Sequence, residues 1–196
     1  MLLREIKKAL RTHGALVVHF SGTPRGVGGG QVRPDFPVDL QQVALNARTW
    51  QVPCSTVSSG HARGKGDLMG SVGLVLRCRR GASLLGVHRE DAGSWYDPVS
   101  GVRNLGACVA PTPVSCDYSI TARRGHNEWV LTNYEPVALL TDGEMEVWDT
   151  PTNFQRQVHP AELDAAFPSL PLLFFHGRQL MEVHPVARPR RIEEFI

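Results

Sequence analysis

A histidine, His19, ends the apolar run Ala15, Leu16, Val17 and Val18 just where the chain passes into Ser21, Gly22, Thr23 and Pro24. A polar ring at the mouth of a buried strand is positioned by the sheet and remains reachable by a ligand, which is how scaffolds commonly present binding groups. A second position of this kind is Glu128, at the head of the apolar Trp129, Val130 and Leu131. Charge is costly there unless it is used or paired. The carboxylate has two readings: an edge-strand glutamate facing water, or a functional group working with a second site. His126, two residues earlier, makes an acid and base pair with Glu128 conceivable, as in a hydrolase or nuclease.

Other chemistry is less well supported. The His-x-Glu at His126 and Glu128 lacks the Pro-Cys-x-x-Cys partner of zinc deaminases. His61, His88, His159, His176 and His184 show no ligand spacing, so no metal is expected. Gly26, Gly28, Gly29 and Gly30 are not followed by Gly-Lys-Ser/Thr, and suggest a mobile lid rather than a phosphate cradle. Cys54 reads better as a small buried residue than as a nucleophile.

Three segments together resemble the ADP-ribosyltransferase superfamily: His19 with Ser21, Gly22 and Thr23; Pro53, Cys54, Ser55 and Thr56; and the strand-leading Glu128. In that superfamily a histidine or arginine on a first strand, a Ser/Thr or aromatic element on a second and a glutamate opening a later strand converge on NAD. The first segment looks like the histidine class, with extra residues between His19 and Gly22-Thr23 relative to the usual His-Gly-Thr. Asn127 to Leu131 followed by Tyr134, Glu135, Pro136 and Val137 is similar to the glutamate strand of DarT-type DNA ADP-ribosyltransferases. The likeness runs from about residue 15 to residue 140.

The resemblance implies an NAD-dependent transferase of toxin or defence type, with NAD as co-substrate, no metal, and an antitoxin or immunity protein as a further partner. Cleavage of the nicotinamide–ribose bond creates positive charge on the sugar, and a fixed carboxylate, Glu128, stabilises it. His19, Ser21, Gly22 and Thr23 would hold NAD, with Ser55 and Thr56 supporting the glutamate by hydrogen bonds. Residues 116–127 would face the acceptor, and Tyr118, Arg123, Arg124, His126 and Asn127 suit a base or phosphate. A solvated basic turn is the plainer reading of Arg123 and Arg124. The acceptor is a nucleic-acid base by preference, or a protein side chain. The whole assignment requires His19 and Glu128 to lie on adjacent strands and face a common cleft.

The elements that must carry these residues follow from periodicity. Leu2, Leu3, Ile6, Ala9 and Leu10 alternate with basic residues at helical spacing, and Gly14 stops the pattern. Residues 15–20 read as a buried strand, 38–48 as a second helix after Pro37, and 50–57 as extended. Strands are expected at 72–78 and 83–88, joined by a hairpin at Arg79, Arg80 and Gly81. Residues 90–114 read as irregular, and 118–122, 128–132, 137–141 and 144–148 as short strands, with Asp142-Gly143 as a hairpin turn. A helix at 160–167 and a strand at 180–184 complete an α+β fold: helices on a predominantly antiparallel, split sheet of the ADP-ribosyltransferase kind.

With 196 residues and 42% hydrophobic content, one domain over residues 1–196 with a basic, solvated tail at 185–196 is expected. A net charge of +2 is too small to demand a polyanionic partner. Cys54, Cys78, Cys108 and Cys116 form no CxxC pair, and neither a secretory core nor a membrane span is read, so a reduced, cytoplasmic protein without membrane partners is expected. The turns Trp95-Tyr96-Asp97-Pro98 and Trp148-Asp149-Thr150-Pro151 are possible anchors for a partner. A non-catalytic interaction module of a phage or defence system is the rival reading from another class.

Overall fold

Alternating and continuous apolar runs assemble into one nine-stranded sheet, in the order β13-β12-β11-β8-β3-β1-β2-β7-β4. The computed structural model describes residues 1–21, 36–59, 71–90, 92–93, 95–96, 103–121, 126–143, 145–149, 154–183 and 187–196. The strands are β1 Ala15–Phe20, β2 Gln51–Ser58, β3 Val72–Cys78, β4 Leu84–His88, β5 Trp95–Tyr96, β6 Arg103–Asn104, β7 Glu128–Thr132, β8 Tyr134–Thr141, β9 Glu146–Asp149, β10 Phe154–Gln157, β11 Leu172–His176, β12 Gln179–Glu182 and β13 Arg188–Arg190. The helices are α1 Leu3–His13, α2 Val38–Leu45, α3 Pro113–Ile120 and α4 Pro160–Ala166. All neighbours in the large sheet are antiparallel except β8 and β11. The class is therefore α+β with a large, mostly antiparallel open sheet.

The opening helix buries Ile6, Ala9 and Leu10 and lies against β1 and α3. Gly14, at φ +57°, ends it in the left-handed conformation that glycine adopts without steric cost, and its N–H bonds the carbonyls of Leu10 and Arg11. Leu16, Val18, Leu74, Leu131 and Trp129 are among the side chains at the centre of the core. No helix of the described residues is long and apolar enough to cross a membrane.

Strand β2, third from the β4 edge, changes partner halfway. Ser55 to Ser58 pair with β1, ending at Val18↔Ser55, whereas Gln51 to Cys54 pair with β7, ending at Cys54↔Trp129. The far half of β1, Val18 to Phe20, pairs instead with β3. The sheet thus opens around residues 54 and 55.

Several expectations are corrected. β3 and β4 form no hairpin: both edges of β3 are taken, by β1 and β8, so β4 crosses to β7 after a single 3-10 turn at Gly81–Ser83. Asp142-Gly143 likewise does not join a β8–β9 hairpin, because β8 lies between β3 and β11 and β9 pairs with β10. Residues 118–120 belong to α3 rather than a strand. Thr112 caps that helix, its side chain accepting from the N–H of Ser115, and Pro113 occupies the first turn where its missing N–H costs nothing. Trp95-Tyr96 and Trp148-Asp149 lie in β5 and β9.

The basic tail is also part of the sheet. β13 ladders onto β12, Phe195 and Ile196 are buried, and Lys7 Nζ donates to the carbonyl of Ile196 at 2.9 Å. Glu182, nearly buried, accepts from Arg188 at 2.9 Å and from Arg190, which also pairs with Glu194. The hydrogen bond from Arg188 first, and that from Arg190 next, hold the Glu182 carboxyl below its ordinary value. A depressed carboxyl pKa contributes stability that is complete above the unfolded pKa and is lost as pH falls through the folded one. Melting curves at falling pH are therefore expected to show wild type losing more stability than Glu182→Gln, whose amide does not titrate.

Candidate functional site

β1 places His19 beyond its last pair with β2, 8% exposed, with Nδ1 2.6 Å from the carbonyl of Pro53. A carbonyl only accepts, so Nδ1 carries a proton. The imidazole thus serves the β2 backbone where the β1–β2 ladder has ended. Two residues on, Ser21 is buried, donates from Oγ to Asp39 Oδ2 of α2 at 2.7 Å and from N–H to the carbonyl of Val72 at 2.8 Å. Ser21, expected to contact the cofactor, ties the exit of β1 to α2 and β3. Gly22 and Thr23, Arg123 and Arg124, the glycines at 26–30, His61 and His184 lie outside the described residues.

Ser55 and Thr56 are fully buried at the point where β2 changes partner. Ser55 Oγ donates to the carbonyl of Asn127 at 2.9 Å. Thr56 meets the Asn127 side chain twice: its N–H donates to Oδ1 at 2.8 Å and its Oγ1 accepts from Nδ2 at 2.5 Å. The same Nδ2 donates to the carbonyl of Ser119 at 2.8 Å, and Ser119 Oγ accepts from Trp129 Nε1 at 2.8 Å. Asn127, 1% exposed, is consequently a bolt joining β2, α3 and the start of β7. Expected among the acceptor-binding residues, Asn127 has its amide hydrogen-bonded to Thr56 and Ser119. The support that Ser55 and Thr56 give to Glu128 passes through the residue before it.

Glu128 itself is 4% exposed, opposite His88 of β4, and its Oε2 accepts from the N–H of Ala92 at 2.7 Å. Nothing in the sequence around Ala92 announces this donor, because a backbone N–H has no residue signature. The other side of Ala92 is clamped as well, its carbonyl accepting from the N–H of Ala107 at 2.9 Å. Gly106, at φ +56°, makes that approach possible: a Cβ there would lie 1.8 Å from the Ala92 oxygen. The turn at 104–107 is closed by Asn104 Oδ1, which accepts from Gly106 N–H at 2.7 Å.

His126 is half-buried, and Tyr118 stands on α3, 56% exposed. Arg89, which follows the register partner of Glu128, lies over the Tyr118 ring at 4.7 Å and donates to its hydroxyl at 2.7 Å. Cys54 is the buried small residue expected, its thiol pushed well above its ordinary pKa by burial, then by Cys78 and Glu128 nearby.

The structure brings Ser55, Thr56, Asn127 and Glu128 together on β2 and β7 and sets His19 on the opposite flank of β2. His19 and Glu128 are not on adjacent strands, which corrects the expectation: β2 stands between them. Their connection runs from Val18 to its pair Ser55, and from Ser55 Oγ to the residue preceding Glu128. Val18 pairs with Ser55 and Cys54 with Trp129, so by the alternation of side chains along a strand Glu128 shares the face of Ser55 and His19 falls on the opposite one. Comparison of the chain with family models, with curated proteins and with solved structures finds no match.

Proposed function

We propose that the chain is an NAD-dependent ADP-ribosyltransferase of toxin or defence type, modifying a nucleic-acid base by preference. The observation that carries this reading is a buried carboxylate, Glu128, at the head of an apolar strand and held by a backbone N–H. Burying a carboxylate is costly, and a fixed acceptor kept in place at that cost suits a reaction that develops positive charge. The change of partner along β2 supports the split-sheet core of that superfamily.

NAD supplies the activated ADP-ribosyl group, with nicotinamide as leaving group. The glycosidic C–N bond breaks with its electron pair departing on nicotinamide, a lone pair of the acceptor forms the new bond to the sugar, and the acceptor loses a proton. Glu128 accepts a hydrogen bond from a ribose hydroxyl and stabilises the positive charge that grows on the sugar.

The test is to incubate the full chain with NAD and single-stranded DNA, RNA or total protein, reading free nicotinamide by chromatography and added ADP-ribose by mass spectrometry. Absence of both overturns the reading and leaves the interaction module. A finer probe is Gly106→Ala. The added methyl pushes on the Ala92 carbonyl, and the left-handed backbone costs a non-glycine residue about 1–2 kcal/mol. Displacing the Ala92 N–H removes a charge-assisted bond of about 1.5–3 kcal/mol, so nicotinamide release is expected to fall at least about tenfold.

A further inference from the structure

We propose that His88 is the base that takes the proton from the acceptor as ADP-ribose is transferred; this rests on the transferase reading, whose chemistry requires that proton to be removed. The ladder between β4 and β7 sets His88 directly opposite Glu128. Residues paired across an antiparallel ladder project from the same face, with Cβ atoms about 5 Å apart. Ser55 shares that face while Trp129 and His19 lie on the other, so His88 is the imidazole that the sheet places with the carboxylate. His126 precedes β7 and has no register partner on β4. His88 is half-buried at the end of its strand, whereas Glu128 is buried, so a bulky acceptor reaches the ring more readily than the carboxylate.

The ring is held in a way that suits proton transfer. Its Nδ1 lies 3.0 Å from the carbonyl oxygen of Glu90 and 3.2 Å from the Glu90 backbone nitrogen. A protonated Nδ1 donates to the carbonyl, and an unprotonated one accepts from the N–H. The backbone of one residue therefore serves the ring in either tautomer and as the imidazolium, while Nε2 makes no hydrogen bond to the described residues. A base oriented through one nitrogen with the other open is the arrangement that proton abstraction requires. Two residues beyond Glu90, the N–H of Ala92 holds Oε2 of Glu128 at 2.7 Å. The stretch after β4 thus fixes both groups and sets their separation before any ligand arrives. Arg89 donates to Tyr118 of α3, and Arg89, Glu90 and Asp91 together are net acidic, a composition better suited to receiving a proton than to gripping a phosphate.

The step balances. The C–N bond to nicotinamide breaks with its electron pair, a lone pair on the acceptor's nitrogen or oxygen bonds the sugar carbon, and the proton on that atom passes to His88 Nε2. The pyridinium charge of NAD disappears in neutral nicotinamide and one positive charge appears on the imidazolium, which later gives its proton to water. Glu128 answers the charge on the sugar and His88 the proton of the acceptor. Water, the competing acceptor, sheds its proton to solvent, so removing the base shifts ADP-ribose from the acceptor to water.

The full chain is incubated with NAD and, in parallel, mixed-sequence single-stranded DNA, RNA or total protein, and the ratio of attached to freed ADP-ribose is read by mass spectrometry and chromatography. His88→Asn keeps a side-chain N–H for the Glu90 carbonyl and lacks Nε2. It is expected to lower the ratio at least about 100-fold, the lower end of what a positioned base contributes, with melting close to wild type. His88→Ala is expected to regain transfer when imidazole is added, which loss of a strut would not allow. A wild-type ratio in His88→Asn overturns the base and leaves the transferase standing. So does a loss that imidazole does not restore, which makes His88 a strut at the exit of β4. Wild type that frees no nicotinamide overturns the transferase and the base together, and release without attachment to any of the three probes overturns the base and leaves a glycohydrolase.

Discussion

Glu128→Gln is expected to abolish nicotinamide release from NAD, by at least about 100-fold, while the chain melts close to the wild-type temperature. The isosteric amide keeps an oxygen to accept from the Ala92 N–H, which is 2.7 Å from the carboxylate in the native chain. Its new NH2 must find an acceptor in a site only 4% exposed, at a cost of about 1 kcal/mol. On the proposed transferase reading, the substitution removes the negative charge that would face the sugar, and only that charge answers a developing positive centre. Chromatography of nicotinamide together with thermal denaturation reads both effects. Turnover at the wild-type rate in this variant would remove Glu128 from the chemistry.

The residues of the site were readable in the sequence where local pattern decides structure. The apolar runs before His19 and after Glu128 give β1 at 15–20 and β7 at 128–132, as the structure has them. Pairing was not readable, because a turn signal reports chain reversal and not which edge is vacant. Asp142-Gly143 does turn the chain, yet the edges of β8 are already occupied by β3 and β11. The same competition puts β2 between His19 and Glu128.

α3 shows a different failure. Tyr118 and Ile120 favour strands by type, but the cap at Thr112 and Pro113 in the first turn start a helix that carries them along. Capping chemistry outweighed side-chain preference, and its Thr-Pro signature was legible. The Ala92 donor and the Gly106 clamp were not, since both act through backbone atoms.

Asn127 is where type and role diverge most, and Asn127→Ala is expected to be chiefly a stability variant. Truncation strips partners from the Thr56 N–H, the Thr56 hydroxyl and the Ser119 carbonyl, all at positions at most 1% exposed. Each buried polar group left unsatisfied costs about 1–3 kcal/mol, so a loss of about 3 kcal/mol overall is expected. For a chain of 196 residues that corresponds to a fall of about 6–12 °C in melting temperature. Asn127→Asp separates the two polar functions, retaining the acceptor for Thr56 N–H while setting a carboxylate oxygen against the Ser119 carbonyl. Burial and that repulsion raise the new carboxyl's pKa above its unfolded value, so the variant is most stable in acid and loses stability as pH rises through the raised pKa. Melting curves of both variants at acid and neutral pH check this. Wild-type melting with selective loss of oligonucleotide binding would return Asn127 to the acceptor surface; the expected loss of melting temperature makes it the joint through which β2 and α3 hold the strand that begins with Glu128.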